Sequence, residues 1–333
     1  MFVSMIDVLY ISEKEAESSG LDFRETIDIA EQVFRAHGEG KAIVPAKISL
    51  ELAQASPYKT WGNAMPAYVE PWNICGIKWI GANSNNPTEH KLPTLMGAIM
   101  LNDPRTFAPI AIIGAGWITA MRTAAASAIC AKYLARNDAE RLCIIGAGFQ
   151  GRHQLLALQQ VFPLSEVRVH DVNTSALHRF VEDLSGKSKA TLKPERDVEK
   201  AVKGSDIVVI AITNERVFFK PDWVEKGVLI CSLGETVMEY EALRKMDKIV
   251  VDHLEQTMHM GELKTWVDKG LISQRDVYAE LGQIVAGKKP GREKAEEKIL
   301  AAPIGVASLD IATAFRVYNL AKQKNIGQVI NWL

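Results

Sequence analysis

Residues 141–151 of the chain, Arg-Leu-Cys-Ile-Ile-Gly-Ala-Gly-Phe-Gln-Gly, join an apolar run to a pattern of three glycines. The apolar run predicts a buried strand, and residues 152–160 continue with helical spacing. In such a strand–turn–helix unit, Gly146 would permit the tight turn, Gly148 would let a pyrophosphate approach the backbone, and Gly151 would let the helix pack on the strand. The helix N-terminus would offer N–H groups to the phosphates. This fingerprint, residues 146–151, predicts a dinucleotide-binding unit.

A second predicted strand, residues 166–171, ends in Asp171, 25 residues after Gly146. At about this spacing, a carboxylate in dinucleotide-binding folds meets the ribose hydroxyls of the adenosine and repels a 2′-phosphate. We therefore expect NAD rather than NADP. The alternative role for Asp171 is a turn residue or a helix N-cap before Asn173.

Residues 113–119, Ile-Gly-Ala-Gly-Trp-Ile-Thr, imitate the fingerprint, but Thr119 stands where its third glycine belongs. The helical pattern of residues 124–135 then leads directly to the fingerprint strand, whereas a dinucleotide-binding unit needs a second parallel strand after its crossover. We interpret this segment as a copy of the pattern that does not bind a dinucleotide.

The hydrophobic pattern changes at about Thr119. After it, short apolar runs alternate with helical segments, which predicts right-handed βαβ units in a parallel sheet. Before it, residues 22–37 predict an amphipathic helix, and β-like runs separated by turn signals predict an antiparallel sheet. Residues 304–322 predict a last helix that could return to the first domain. The predicted strands are residues 43–52, 59–69, 74–80, 95–102 and 109–113, and then 142–145, 167–171, 207–212, 228–232 and 248–252.

The charge balance excludes some classes of partner. The chain has 333 residues, 39 Lys and Arg, 40 Asp and Glu, and a formal net charge of −1. Nucleic acids and anionic membranes attract clustered basic residues, and both signs of charge are interspersed here. We expect no nucleic-acid partner and no membrane partner, and a small molecule is favoured.

The cysteines and the apolar stretches indicate a cytoplasmic protein. The cysteines show neither disulfide nor metal-ligand spacing, so they predict buried thiols in a reducing compartment and no metal site. The longest uncharged stretch, residues 106–121, is shorter than the ~20 apolar residues of a membrane span. The first seven residues lack the pattern of a secretory signal. The cysteines are Cys75, Cys130, Cys143 and Cys231.

Several segments, in order and spacing, carry a family resemblance. They include Ala-Met-Pro-Ala-Tyr, Gly-Ile-Lys-Trp, Asn-Ser-Asn-Asn-Pro, Leu-Asn-Asp-Pro and Val-Val-Asp-His-Leu-Glu-Gln. With the fingerprint, they resemble the ornithine cyclodeaminase/mu-crystallin family, which includes archaeal alanine dehydrogenases and dehydrogenases of opine-like siderophore precursors. The resemblance covers nearly the whole chain. The segments are residues 64–68, 76–79, 83–87, 92–94, 101–104, 122–125, 146–151, 250–256 and 305–310.

The resemblance implies a fold and a chemistry. The fold class is α/β: a Rossmann-type parallel-sheet domain for NAD at residues 121–304, and an α+β domain at residues 1–120 and 305–333. The second domain would form a homodimer and one wall of the substrate pocket. The implied reaction is hydride transfer between C4 of the nicotinamide and the α-carbon of an amino acid, through an imine.

The resemblance also assigns cations to the substrate. Lys78 and Arg122 match positions that hold the α-carboxylate, as charge-assisted hydrogen bonds would. Lys47 falls where many members have arginine and where the dehydrogenase branches have lysine, and Ile304 should lie near the substrate. For Lys47 and Lys78 the alternative is a solvated surface lysine, and for Arg122 it is a helix-surface arginine.

The resemblance implies a larger set of cofactor contacts, several of them at predicted strand ends, where dinucleotides lie in parallel sheets. Ser232 and Thr213 could equally terminate strands. The cofactor-contacting residues are Thr94, Arg122, Thr123, Gly146, Gly148, Phe149, Gln150, Gly151, Asp171, Thr213, Ser232 and Leu233.

The loop after residues 228–232 departs from the family, because it lacks the acidic residue followed by Pro-Gly-Lys. An ungapped alignment places Thr236 under the family's aspartate with Glu235 beside it, and Glu235 is taken as the third catalytic residue after Lys78 and Arg122. The predicted function is an NAD-dependent amino-acid dehydrogenase or imine reductase. The alternatives are a cyclodeaminase that uses NAD catalytically and a non-catalytic ligand-binding protein of the mu-crystallin type.

Overall fold

The computed structural model describes residues 6–52, 60–213 and 216–332. Contacts within the chain define two compact units, Met1–Arg122 with Val306–Leu333, and Thr123–Gly305. The mixed α/β fold class is confirmed. The first five residues, on which part of the signal-peptide prediction depends, and residue 59 of a predicted strand lie outside the described ranges.

The elements are numbered along the chain, with short helical turns left out. The helices are α1 Glu13–Glu17, α2 Phe23–Glu39, α3 Gly116–Leu134, α4 Phe149–Leu158, α5 Thr174–Leu184, α6 Val198–Val202, α7 Tyr240–Leu243, α8 Leu254–Thr257, α9 Lys264–Asp268, α10 Leu281–Val285 and α11 Ala307–Lys324. The strands are β1 Asp7–Ile11, β2 Ala42–Ile43, β3 Ile48–Glu51, β4 Thr60–Val69, β5 Ile74–Asn83, β6 Leu95–Asn102, β7 Pro109–Gly114, β8 Arg141–Ile145, β9 Glu166–His170, β10 Thr191–Pro194, β11 Ile207–Ile210, β12 Leu229–Ser232, β13 Lys248–Val251, β14 Ala279–Glu280, β15 Ile299–Ala302 and β16 Gln328–Asn331.

The first unit contains one sheet in the order β16-β1-β7-β6-β5-β4-β2, with β3 also pairing β4. Strands β4 to β7 are antiparallel to one another, as predicted. The sequence did not predict β1, which pairs parallel with β7, or β16, which pairs antiparallel with β1. The single predicted run of residues 43–52 forms two short strands instead of one.

Two helices cover one face of this sheet. Helix α2 begins at the N-cap Asp22, whose carboxylate accepts from the Glu25 amide at 2.8 Å, and ends at Gly40 in the left-handed conformation. Its buried face includes Val33 and Phe34, as its spacing predicted. Helix α11 contacts β4, β5, β6 and α2. The predicted last helix therefore belongs to the same unit as the N-terminal residues.

The second unit contains a sheet in the order β10-β9-β8-β11-β12-β15-β13-β14, and every pairing is parallel. This confirms the Rossmann-type sheet. The prediction missed β10, β14 and β15. β10 is a mostly exposed edge strand, β14 has two residues, and β15 has four buried residues directly after a charged segment, so none has a long apolar run.

Helix α3 corrects a predicted boundary. It begins at Gly116, eight residues before the predicted helix at residues 124–135. The amides of Gly116 and Trp117 donate to the Glu13 carboxylate at 2.6 and 2.9 Å. A carboxylate favours the positive end of a helix. Residues 113–119 thus form a strand, a turn and the start of a helix. The helix N-terminus is bound by a side chain of the same protein, Glu13.

The cysteines follow the prediction with one correction. Cys130, Cys143 and Cys231 are buried free thiols, whereas Cys75 is half-buried on β5. Among the described residues, no helix is both long and apolar enough to cross a membrane.

Candidate active site

The fingerprint has the backbone geometry that its glycines predict. Gly146 has a φ of +111°, and a Cβ there would lie 2.4 Å from the carbonyl oxygen of Ala211. A Cβ on Gly151 would lie 1.9 Å from the carbonyl oxygen of Gly146, so only glycine allows α4 to start this close to β8. A Cβ on Gly148 would meet nothing within 4 Å. Gly148 thus leaves the backbone open where a pyrophosphate would approach.

Gly148 is the N-cap of α4 and, as a glycine, offers no side-chain acceptor to the amides of the first turn. The side chain of Phe149 is exposed and that of Gln150 is half-buried. Phe149 packs its ring edge-on against His153, with 4.4 Å between the ring centroids. The structure therefore brings the predicted residues 146–151 together at one helix N-terminus, which is the geometry that binds phosphates.

Asp171 follows β9 and reaches the fingerprint. Its Oδ2 accepts from the Ala147 amide and its Oδ1 from the Asn173 amide, both at 2.8 Å. The N-cap of α5 is Asn173, so the N-cap role for Asp171 is wrong, although Asp171 does close a turn with Asn173. The carboxylate lies at the fingerprint turn, next to where an adenosine ribose binds in such folds.

The other predicted cofactor contacts of the second unit lie near strand ends. Thr213 is exposed beyond the end of β11, and half-buried Leu233 follows β12 directly. Ser232 is buried at the end of β12, and its hydroxyl donates to Glu262 at 2.5 Å. That hydroxyl is therefore engaged by the protein. Thr123, the first residue of the second unit, is half-buried on α3.

In the loop after β12, the adjacent residues Glu235 and Thr236 differ in their surroundings. The Thr236 hydroxyl is buried, donates to the Gly261 carbonyl and accepts from the Thr265 amide, both at 3.2 Å. Thr236 is therefore a structural residue. Glu235 is half-buried and is the member of the pair that carries a carboxylate.

Glu262 is a buried carboxylate beneath this loop that the sequence analysis missed. Its Oε1 accepts from the Val237 and Met238 amides at 3.1 and 2.9 Å, and its Oε2 accepts from Ser232. Burial raises the pKa of Glu262 to about 7, against the opposing effect of these hydrogen bonds and with a further increase from Glu235. The sequence signal for Glu262 was only its position between two uncharged residues, Gly261 and Leu263.

A second buried carboxylate fixes the segment that contains Ile304. Asp252, directly after β13, accepts from the amides of Ile304 and Gly305 at 3.0 and 2.7 Å. Gly305 has a φ of +89°, which suits glycine. Ile304 is half-buried next to this turn.

The predicted substrate cations lie in the first unit. Lys78 on β5 faces the helix-covered side of the sheet and is 1% exposed, whereas Trp79 faces outward. Lys78 Nζ lies 2.7 Å from Asp310 Oδ1, and Arg122 Nε lies 2.8 Å from the same oxygen. The solvated-lysine and helix-surface alternatives for Lys78 and Arg122 are therefore wrong. Lys78 also donates to Thr119 at 3.4 Å.

The electrostatics of this triad, Lys78, Arg122 and Asp310, favour an additional anion. Burial lowers the pKa of Lys78 to about 7, as do Arg122 and Lys47, whereas Asp310 acts in the opposite direction. Half-buried Lys47 thus lies within electrostatic reach of Lys78. Within the described residues, Asp310 Oδ2 is buried without a hydrogen-bond donor. With Lys78 protonated, the triad carries one net positive charge.

Thr94 belongs to the first unit with the triad, whereas the fingerprint belongs to the second unit. It precedes β6, and its carbonyl accepts from the Asn83 amide at 3.0 Å. The structure brings together Lys47, Lys78 and Arg122 in one unit, and the fingerprint with Asp171 in the other.

Comparison with known proteins identifies the family of the whole chain. The model of the ornithine cyclodeaminase/mu-crystallin family matches residues 9–325. The chain belongs to this family. The resemblance inferred from the sequence segments is confirmed.

Relatives within the family match almost end to end. The alanine dehydrogenase of Archaeoglobus fulgidus is 35% identical over 98% of this chain and 99% of its own length. The structure of an archaeal alanine dehydrogenase dimer with bound NAD has a TM-score of 0.92 at 35% identity, covering 98% of this chain and all of that one. The Thermococcus litoralis Δ1-pyrroline-2-carboxylate reductase in complex with NADH and L-proline has a TM-score of 0.92 at 33% identity, covering 97% and 100%.

Proposed function

We propose that the protein is an NAD-dependent oxidoreductase acting at the α-carbon of a small amino acid or of the corresponding imino acid. The observation that carries this proposal is the buried triad of Lys78, Arg122 and Asp310. Two buried cations that share one carboxylate oxygen retain charge for a further anion, because a buried charge needs compensation. The α-carboxylate of the substrate would supply that anion.

NAD fits the residues of the second unit. Gly148 leaves space where an alanine would place a Cβ, and as the N-cap of α4 it offers no side-chain acceptor to the first turn. Asp171 presents a carboxylate at the fingerprint turn. When bound, NAD supplies the hydride acceptor or donor. The solved relatives with NAD and with NADH and L-proline support this choice. Asp171 favours NAD over NADP, since it would repel a 2′-phosphate.

The remaining residues orient the substrate and handle protons. Lys78 and Arg122 hold the α-carboxylate, so that the α-hydrogen faces the nicotinamide, and Lys47 adds positive charge at the same place. Ile304 supplies an apolar contact. Glu235 is the proton-transferring residue of this proposal, because Thr236 uses its hydroxyl within the fold. The further cofactor contacts are Thr94, Arg122, Thr123, Phe149, Gln150, Thr213, Ser232 and Leu233.

We propose net redox turnover rather than cyclodeamination. Cyclodeamination needs a base that manages a second amine, and the loop after β12 offers Glu235 in place of the family's acidic residue with Pro-Gly-Lys. The assay follows NADH absorbance with a panel of amino acids, and with 2-oxo acids plus ammonia or primary amines. Proline is measured in parallel after incubation with ornithine and NAD. Stoichiometric proline and ammonia without a net change in NADH would favour the cyclodeaminase. No hydride transfer with any member of the panel would favour the binding protein.

We further propose a cytoplasmic homodimer in which residues 1–120 and 305–333 form the interface. The outward face of the first sheet is apolar and exposed in the single chain, including Trp79 at 49% and Ile48 at 72%. Exposed apolar patches of this kind mark interfaces. Sedimentation of the wild type and of Trp79→Glu would test the proposal, since the variant should shift toward the monomer.

A further inference from the structure

The loop after β12 is held at both of its ends by one carboxylate. Ser232 precedes the loop, Val237 and Met238 follow it, and all three donate hydrogen bonds to Glu262. The segment enclosed by these contacts is residues 233–236. Within it, Thr236 is also held by Gly261 and by the Thr265 amide, which flank Glu262 in the chain.

The position of Glu262 is set by the turn between α8 and α9 that contains it. Its side chain is 2% exposed, between the short helices α8 and α9. Gly261 has a φ of +82°, and a Cβ there would lie 3.1 Å from Ile304 Cδ1. The turn that carries Glu262 therefore packs close to the proposed substrate contact Ile304, and a Cβ on Gly261 would also lie 3.6 Å from the carbonyl oxygen of Gly234 in the loop.

Burying the Glu262 carboxylate costs free energy, and its hydrogen bonds offset that cost. Desolvation disfavours the charged group, and three donors compensate for that loss. An apolar residue could fill the same volume, but it could not fix two amides and a hydroxyl at once. The three hydrogen bonds restrict the conformation of the loop. Glu262 is buried, so it does not contact a substrate directly.

We propose that Glu262 is a positioning residue for the redox reaction: it fixes residues 233–236, so that Leu233 and Glu235 keep the geometry that hydride and proton transfer need. This inference rests on the proposed function. Glu262 acts through the loop, and its hydrogen bonds rather than its charge are what the reaction requires.

Two substitutions separate hydrogen bonding from charge. Glu262→Gln keeps one oxygen for the Val237 and Met238 amides, and its amide group can donate to the Ser232 hydroxyl. Glu262→Ala removes every contact. We expect Glu262→Ala to lower kcat at least tenfold with KM for the 2-oxo acid changed less than about threefold, and Glu262→Gln to stay within about threefold of the wild type. Should Glu262→Ala fail to fold, Glu262→Asp, which is too short for all three contacts, should show an intermediate loss of kcat.

A double-mutant cycle tests whether Glu262 acts through Glu235. In a Glu235→Ala background, Glu262→Ala should cost much less than in the wild type, because the residue it positions is already absent. Hydrogen exchange should show loss of protection at the Val237 and Met238 amides. The matched control is Glu280→Ala, which removes a carboxylate contact to the Leu254 amide in the same unit but outside this loop.

The outcomes distinguish this inference from the proposed function. Absence of turnover in the wild type with the full substrate panel would overturn both. Turnover in the wild type with an unchanged kcat in Glu262→Ala would overturn only the role of Glu262. Losses that add fully in the double mutant, or an equal loss of kcat in Glu280→Ala, would reduce Glu262 to a residue of general stability.

Discussion

Lys78 Nζ and Asp310 Oδ1 lie 2.7 Å apart, although 232 residues separate them in the chain. Their side chains are 1% and 0% exposed, so solvent does little to screen the pair. Arg122 shares the same oxygen, which leaves the triad one positive charge in excess. Removing either cation would leave a neutral pair, with no excess charge to hold a substrate carboxylate. The contribution of these residues should therefore be large and measurable.

Replacing either cation should abolish most turnover. We expect Lys78→Met and Arg122→Met each to lower kcat/KM by about 30-fold or more, which corresponds to about 2 kcal/mol of lost transition-state stabilisation. The affinity for NADH, measured by fluorescence titration, should change little in Lys78→Met, because Lys78 is not among the proposed cofactor contacts. The control is Lys248→Met, because Lys248 is also buried but pairs with Glu293 and Glu297. That variant should lose stability and keep its kcat; near-native kcat/KM in either triad variant would remove that cation from the proposed site.

The lowered pKa of Lys78 should appear in substrate binding. Protonated Lys78 attracts a carboxylate, so the affinity for a 2-oxo acid that the enzyme turns over should be highest below about pH 7 and fall as the pH rises through the pKa of free Lys78. Above that pH, binding should take up a proton, because the bound carboxylate raises the pKa of the lysine. Calorimetry in buffers of different ionisation enthalpy measures this uptake.

The control for this pH dependence is Lys78→Arg. Arginine stays protonated throughout the range, so the affinity of this variant for the same 2-oxo acid should not change with pH. Glu262 also has a pKa of about 7, and it is unchanged in this variant. A decline in affinity that persists in Lys78→Arg would assign the titration to another group.

Cofactor preference should depend on Asp171. We expect at least a tenfold higher kcat/KM with NADH than with NADPH, or about 1.4 kcal/mol of discrimination. Asp171→Asn keeps one acceptor oxygen for the Ala147 amide but loses the charge, so the preference should shrink mainly through better use of NADPH. Steady-state kinetics with both cofactors measure the ratio. Equal efficiency in the wild type would contradict the assignment.

Substitution by alanine should have different effects at two glycines of the fingerprint, Gly148 and Gly151. Gly148→Ala adds a methyl group with no protein atom within 4 Å, so the melting temperature should hardly change while the affinity for NADH falls about tenfold. Gly151→Ala places its methyl group 1.9 Å from the Gly146 carbonyl, so the melting temperature itself should fall. Calorimetric melting and NADH titration separate the two effects. Tight NADH binding by Gly148→Ala would mean that the pyrophosphate does not approach the backbone at Gly148.

The fingerprint could be predicted because its requirements are local. A strand, a positive φ at Gly146 and a close contact at Gly151 all lie within eleven residues, and each requires a specific residue type. Helix α2 was predictable for the same reason, since its apolar spacing, Asp22 cap and Gly40 end are adjacent in the chain.

The environment of Lys78 could not be predicted in the same way. Alternation along β5 fixes which residues share a face, but a shift of one residue exchanges the two faces. Only the pairing across the sheet places Lys78 inward and Trp79 outward. Asp310, which opposes the lowering of the Lys78 pKa by burial and by Arg122, comes from a helix more than two hundred residues later.

Glu262 escaped prediction because its partners are 24 to 30 residues earlier and no periodic element contains it. Strand β15 was also not predicted, for a related reason. Four residues are too few for a periodic signal, and β15 enters the sheet between β12 and β13 rather than next to its neighbour in the chain.

The Glu13 carboxylate at the start of α3 shows what a glycine pattern by itself leaves undetermined. Residues 113–119 reproduce the strand, the turn and the helix, yet the amides that would receive a phosphate, those of Gly116 and Trp117, already hold an internal anion. The two glycine patterns differ in backbone conformation, since Gly146 has a positive φ and Gly114 does not. In the first pattern, an acidic side chain from a distant segment binds the start of the helix. Replacing Glu13 by alanine would remove the acceptor of these two amides, and Thr119 would still stand where the fingerprint has its third glycine.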